Sequence, residues 1–154
     1  MALIIGTDGD DILVGTDGDD RFIASAGNDT IDYSDLGQPV IVQPVVIQKG
    51  AVGNDTFKDF FETLIGATGQ INSIDATSDS TNVSIIADLS KERLEIRVVG
   101  SPPIVVNLKN FVNIIGTNQN DAITGDAKDN ELSGSGGKNE GETIPFSPLN
   151  MASS

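Results

Sequence analysis

The chain repeats itself every nine residues at its start, and this period limits the fold more than any other feature. Residues 6–14 read Gly-Thr-Asp-Gly-Asp-Asp-Ile-Leu-Val, residues 15–23 read Gly-Thr-Asp-Gly-Asp-Asp-Arg-Phe-Ile, and residues 24–32 read Ala-Ser-Ala-Gly-Asn-Asp-Thr-Ile-Asp. Position 4 is Gly9, Gly18 and Gly27, position 6 is Asp11, Asp20 and Asp29, and position 8 is the apolar Leu13, Phe22 and Ile31. Ile4 falls at position 8 of a preceding block. Positions 7–9 predict a short strand whose middle side chain points inward, because side chains alternate across a strand. Positions 1–6 predict a turn, since glycine accepts positive φ and close packing, and Asp and Asn tolerate left-handed backbone. A turn plus a strand is half a coil. Blocks one and three therefore stack on one edge, and block two stacks on a later segment at the other.

Such stacking piles carboxylates above one another. Residues 8–35 hold nine acids, all Asp, against Arg21 alone. Like charges at that spacing repel, and a hard cation between the turns removes the conflict. Ca²⁺ takes six to eight oxygens from carboxylates and carbonyls, whereas Mg²⁺ holds its waters and demands octahedral geometry. The blocks resemble the G-G-x-G-x-D-x-U-x repeats of RTX (repeats-in-toxin), or hemolysin-type, calcium-binding proteins. That resemblance implies an all-β, right-handed parallel β-roll or β-helix solenoid with Ca²⁺ between stacked turns. It also implies the ligands: the carboxylates of Asp11, Asp20 and Asp29, and carbonyls of Gly6, Asp8, Gly9, Gly15, Asp17, Gly18, Ala24, Ala26 and Gly27. Position 2 departs from the pattern as Thr7, Thr16 and Ser25, and position 1 of the third block is Ala24. Three blocks make one complete stacked pair, turn 6–11 over turn 24–29, so one well-formed site is expected there.

Weaker copies follow. Residues 50–58 keep Gly50, Gly53, Asp55 and Phe57, and residues 66–75 keep the pattern with one extra residue and Asn72 where Asp would stand. Residues 116–124 keep Gly116, Asp121 and Ile123, residues 125–133 carry Asn130 and Leu132, and residues 134–139 end on Asn139. Calcium affinity follows ligand charge, so these turns are expected to be weak or ion-free, with Asp121, and after it Asp55, as further candidate ligands. Between the copies, period-two alternation predicts half-buried strands through Val83, Ile85, Ala87 and Leu89, through Leu94, Ile96 and Val98, and through Ile104, Val106 and Leu108. Residues 83–99 form either a projecting hairpin or two wider rungs. One domain is expected over 1–140, comprising calcium-binding repeats (1–35), wider β rungs (36–115) and degenerate repeats (116–140), with a tail over 141–154.

Burying one inward side chain per block yields about 1.5–3 kcal/mol, while ordering each residue costs about 1–2 kcal/mol. Folding of the N-terminal coils is therefore expected to depend on metal. The 154 residues carry a formal charge of −14 and contain no His, Cys or Trp. These absences exclude His-dependent triads, zinc thiolate sites and disulfide frameworks. The acidity argues against nucleic acid, and no apolar run approaches the length of a membrane span. No secretory leader is visible at the N-terminus, and the family resemblance implies export by a type I-like route to an extracellular location. The expected role is a non-enzymatic structural or adhesion module with calcium as partner. End-to-end self-association through open strand edges is a further expectation. The alternative is a carbohydrate-binding or accessory module that grips an anionic extracellular polysaccharide through Arg93 and Arg97, which flank Glu95 on one strand face.

Overall fold

The nine-residue register builds the first strands where the sequence places them. The computed structural model describes residues 1–43, 46–49, 53–57, 61–77, 81–135 and 151–153. β1 (Ala2–Ile5), β2 (Ile12–Val14), β3 (Asp20–Ile23) and β4 (Thr30–Asp32) are joined by the predicted turns. Leu13, Phe22 and Ile31 are buried, while Ile12 and Val14 on either side of Leu13 are exposed. β1 lies parallel to β3 with Ile4 opposite Phe22, and β2 lies parallel to β4 with Leu13 opposite Ile31. Successive strands thus join two different sheets, and position 8 supplies the core of both.

The later strands are β5 (Val40–Val42), β6 (Val46–Lys49), β7 (Gly53–Phe57), β8 (Thr63–Ile65), β9 (Asn72–Asp75) and β10 (Val83–Asp88). They are followed by β11 (Arg93–Val98), β12 (Ile104–Lys109), β13 (Phe111–Ile115), β14 (Ala122–Thr124), β15 (Glu131–Ser133) and β16 (Met151–Ser153). One sheet runs β1-β3-β7-β6-β5-β9-β13-β15-β16 and the other runs β14-β10-β11-β12-β8-β4-β2. The only helix among the described residues is a single 3-10 turn, Leu89–Lys91. The fold is all-β and consistent with a β-roll.

Two regions depart from simple winding. β3 pairs not with β5 but with β7. The chain passes from β4 to β5 two strand positions further on, and β6 and β7 then return antiparallel to the vacant place. The same fold-back occurs in the other sheet, where β10, β11 and β12 form an antiparallel meander that ends parallel to β8. The 83–99 segment is therefore a hairpin within the sheet rather than a projecting one or two wider rungs. Its pairs Ile85↔Ile96 and Ala87↔Leu94 keep the apolar alternation in register, and in-sheet pairing satisfies backbone groups on both sides.

The core runs through both sheets as a continuous column. Ile74, Ile114, Ile123 and Leu132 extend the line of Phe22 and Ile31, all at 2% exposure or less.

Candidate metal centre

Turn 6–11 lies directly against turn 24–29. Gly6 N–H donates to the Ile23 carbonyl (2.8 Å), and Thr30 N–H donates to the Asp11 carbonyl (2.9 Å). Asn28 N–H donates to Asp10 Oδ1 (2.8 Å) and Asp11 N–H to Asp29 Oδ1 (3.1 Å). The backbones approach so closely that a Cβ on Gly27 would lie 2.6 Å from the Gly9 carbonyl, and Gly27 has φ +114°. Only glycine meets both demands at that position. These contacts bring Gly6 beside Ala24, Gly9 beside Gly27 and Asp11 beside Asp29.

Within the turns, position 2 does work the sequence reading did not foresee. Thr16 N–H and Oγ1–H both donate to the Asp20 carboxylate (2.7 and 2.8 Å). Thr7 does the same to Asp11 (2.5 and 2.9 Å), and Thr117 to Asp121 (2.7 and 2.9 Å). Each such turn closes on its own position-6 carboxylate. The third block has Ser25 instead, with φ 77°, and its hydroxyl reaches toward the Gly6 carbonyl (3.5 Å) rather than toward Asp29. The consequence appears at Asp29, which is 1% exposed. Its Oδ1 accepts from Asp11, but its Oδ2 is buried with no hydrogen-bond partner.

An ionised carboxylate only accepts hydrogen bonds, and leaving one of its oxygens unpaired in the interior costs about 1–3 kcal/mol or more. A buried carboxylate oxygen without a donor, in a turn stacked on another turn, suits a hard cation. Among the described residues no three acidic side chains converge as a metal cluster. A cation here would have to draw most of its oxygens from the backbone, with Asp11 and Asp29 as the nearest paired carboxylates. Ca²⁺ accepts that mixture; Mg²⁺ and the softer metals do not favour it. Asp8 is exposed.

On the same edge one carboxylate escaped the sequence reading. Glu62 Oε2 accepts from Asp29 N–H (2.7 Å). Glu62 precedes β8 as Asp29 precedes β4, and Leu64 is paired with Ile31. Residues 57–65 are thus a disguised block with Glu at position 6 and Leu64 at position 8. The absence of glycine at their start hid it.

The second predicted set, Gly15, Asp17, Gly18 and Asp20, lies on the opposite edge. Asp17 and Gly18 are exposed, and Asp20 is buried. Asp20 N–H donates to Asp55 Oδ1 (2.6 Å), and the Tyr33 hydroxyl donates to Asp55 Oδ2. Phe22 opposite Phe57 puts Asp55 in the position-6 column, as the sequence alignment has it. Burial first, and then the charges of Asp55 and Asp20, push the Tyr33 hydroxyl far above its ordinary range. It therefore keeps its proton and acts as a donor.

Further along, amides replace carboxylates. Asn72 Oδ1 accepts from Val40 N–H (2.9 Å), while its Nδ2 donates to the carbonyls of Ala67 (2.9 Å) and Asn110 (2.7 Å). Asn130 Oδ1 accepts from Asp126 N–H (2.8 Å), and its Nδ2 donates to the Val112 carbonyl (3.0 Å). Asp121, besides its Thr117 bonds, accepts from Ile85 N–H (2.8 Å). Gly50 and Asn139 lie outside the described residues.

The Arg93–Glu95–Arg97 face is internally paired. Glu95 accepts from Arg97 Nε (2.6 Å) and Arg93 NH2 (3.2 Å), and Arg97 first, then Arg93, hold its carboxyl below the usual range.

Comparison with known families places this geometry. Residues 5–35 and 115–140 match the RTX calcium-binding nonapeptide repeat, in four copies. The chain carries RTX repeats, and RTX repeats bind Ca²⁺. A search of curated proteins finds no match. Among the described residues no helix is long and apolar enough to cross a membrane.

Proposed function

We propose that this chain is an extracellular calcium-binding module, a right-handed β-roll solenoid whose N-terminal coils tighten on Ca²⁺ and which serves a structural or adhesive role without catalysis. The ion sits between turns 6–11 and 24–29, held by Asp11 and Asp29 and by carbonyls of Gly6, Asp8, Gly9, Ala24, Ala26 and Gly27. The observation that carries this reading is Asp29 Oδ2, buried and without a partner where turns 6–11 and 24–29 stack. The bound cation supplies the positive charge that the turn itself lacks. The rest of the coil is ready for it: Gly27 lets the turns touch, and Thr7 orients Asp11. An extracellular setting fits a site of this kind, since modules there work at calcium affinities of about 10⁻⁴–10⁻³ M.

Calcium titrated into chelator-treated protein, followed by circular dichroism and thermal melting, tests the reading. At calcium about 100-fold above Kd the stabilisation is about 2.7 kcal/mol, a rise of roughly 5–10 °C for a chain of this size. No change in spectrum or midpoint up to about 100 mM calcium, roughly 100-fold above the weaker of these affinities, rejects it.

A further inference from the structure

We propose that Tyr33 stands in for a calcium ion on the edge opposite Asp29, so that the Asp20–Asp55 column needs no metal. The inference rests on the calcium reading above for the contrast between edges, but the Tyr33–Asp55 bond can be tested without calcium.

A column of position-6 carboxylates offers only acceptors. It closes when each oxygen meets either a cation or an N–H or O–H donor. At Asp55, which is fully buried, both oxygens meet donors: Asp20 N–H on Oδ1 and the Tyr33 hydroxyl on Oδ2. At Asp20 the donors are Thr16 N–H and Oγ1–H. Asp29 on the other edge lacks such a second donor.

The fold shows why a tyrosine stands here. Gly15, Tyr33 and Gly66 occupy equivalent places at the starts of successive turns: Gly15 N–H donates to the Asp32 carbonyl, Tyr33 N–H to Ile65 and Gly66 N–H to Lys109. The two neighbours in this column are glycine; Tyr33 is the chain's single tyrosine. Its ring packs over Gly15 so tightly that a Cβ there would lie 2.0 Å from Cε1 of the ring. Phe22 meets the ring edge-on, with centroids 6.1 Å apart at 83°. After Tyr33 the chain runs on to β5, two strand positions away, instead of setting a new strand beside β3. The ring covers Gly15 at this point, and the hydroxyl brings a donor to the carboxylate that β7 later delivers.

Calcium binding measured by titration calorimetry on the full chain separates the edges. Asp55→Asn should leave affinity within about twofold of the parent, whereas Asp29→Asn should weaken it about tenfold or more, as expected when a charged ligand is removed. Weakening by Asp55→Asn as large as that by Asp29→Asn overturns the proposal. A second arm uses chelator alone. Tyr33→Phe keeps the ring and should lower the melting midpoint by roughly 3–10 °C, the loss of one buried hydrogen bond to a charged group. Tyr33→Phe combined with Asp55→Asn should melt well above the sum of the two single losses. Additive losses, or a Tyr33→Phe midpoint equal to the parent's, overturn the proposal. A parent that binds no calcium removes the calcium reading, and the chelator arm still decides the role of Tyr33.

Discussion

The two ends of the molecule solve one problem with different atoms. In both, position 6 of the repeat turns inward and must satisfy backbone groups of its own coil and of the next. At the N-terminal end the residue is Asp, as at Asp29, where one oxygen accepts from the neighbouring coil and the other finds nothing. Further along it is Asn at 72 and 130, where the same kind of side chain accepts on one side and donates to a carbonyl on the other. An amide carries both roles; a carboxylate carries one. The amide column is therefore complete with protein atoms alone, and the carboxylate column becomes complete with a cation, a threonine or a tyrosine.

The sharpest way to break this contrast is to move a carboxylate into the amide column. Asn72→Asp removes two donated hydrogen bonds and sets a buried charge against the Ala67 and Asn110 carbonyls. It should cost about 3–5 kcal/mol by denaturant melting. A loss under about 1 kcal/mol would show that the amide donors do not hold this edge. Thr117→Val comes next. The hydroxyl is buried against Asp121, and its removal should cost roughly 1–2 kcal/mol with or without calcium. A loss that calcium fully restores would instead make Asp121 an ion ligand. Asp29→Asn reverses the first experiment. In chelator it should hold or raise stability, by up to about 1 kcal/mol, because the orphaned charge disappears. In calcium it should lose most of the metal-dependent gain. A clear fall in chelator would mean that the Asp29 charge is already satisfied by protein.

The smallest effect is expected at Glu95. Its carboxyl is held below the usual range by Arg97 and Arg93, so its contribution is present above the ordinary carboxylate pKa and is lost as pH falls through the lowered value. Glu95 is half-buried, but both arginines are exposed, and solvent screens the pairs. Glu95→Gln should leave the melt near pH 7 almost unchanged and flatten only the acid limb.

Much of this was readable from spacing. The register of nine placed β1 to β4 and the buried Leu13, Phe22 and Ile31, because a turn of fixed length and a three-residue strand are local facts. It also placed Asp29 on Asp11. Alternation found the inward residues of β10, β11 and β12 for the same reason. The pairing of β3 with β7 was not readable, since no local pattern says which later strand returns to a bare edge. Glu62 was hidden because its block overlaps the preceding one and begins Phe57-Lys58-Asp59-Phe60 rather than with glycine. The position-2 threonines depart from the repeat, and nothing in the nine-residue period alone says that they close the turn on its own carboxylate. Thr followed four residues later by Asp, at 7, 16 and 117, was the available signal.

The two fold-backs also govern the order in which the molecule can assemble. A simple roll grows by adding each coil to the last, so every new strand finds its partner already in place. Here β3 gains its second neighbour only when β7 arrives, after β5 and β6 have been laid down further along. β8 likewise waits for β12. Each wait is a loop-closure step, with an entropy cost before any contact repays it, and it raises the mean sequence separation of contacts that sets folding speed. The fold-backs thus lock early coils to later ones, so that the N-terminal repeats and the middle of the chain fold as one cooperative unit rather than as beads added in turn.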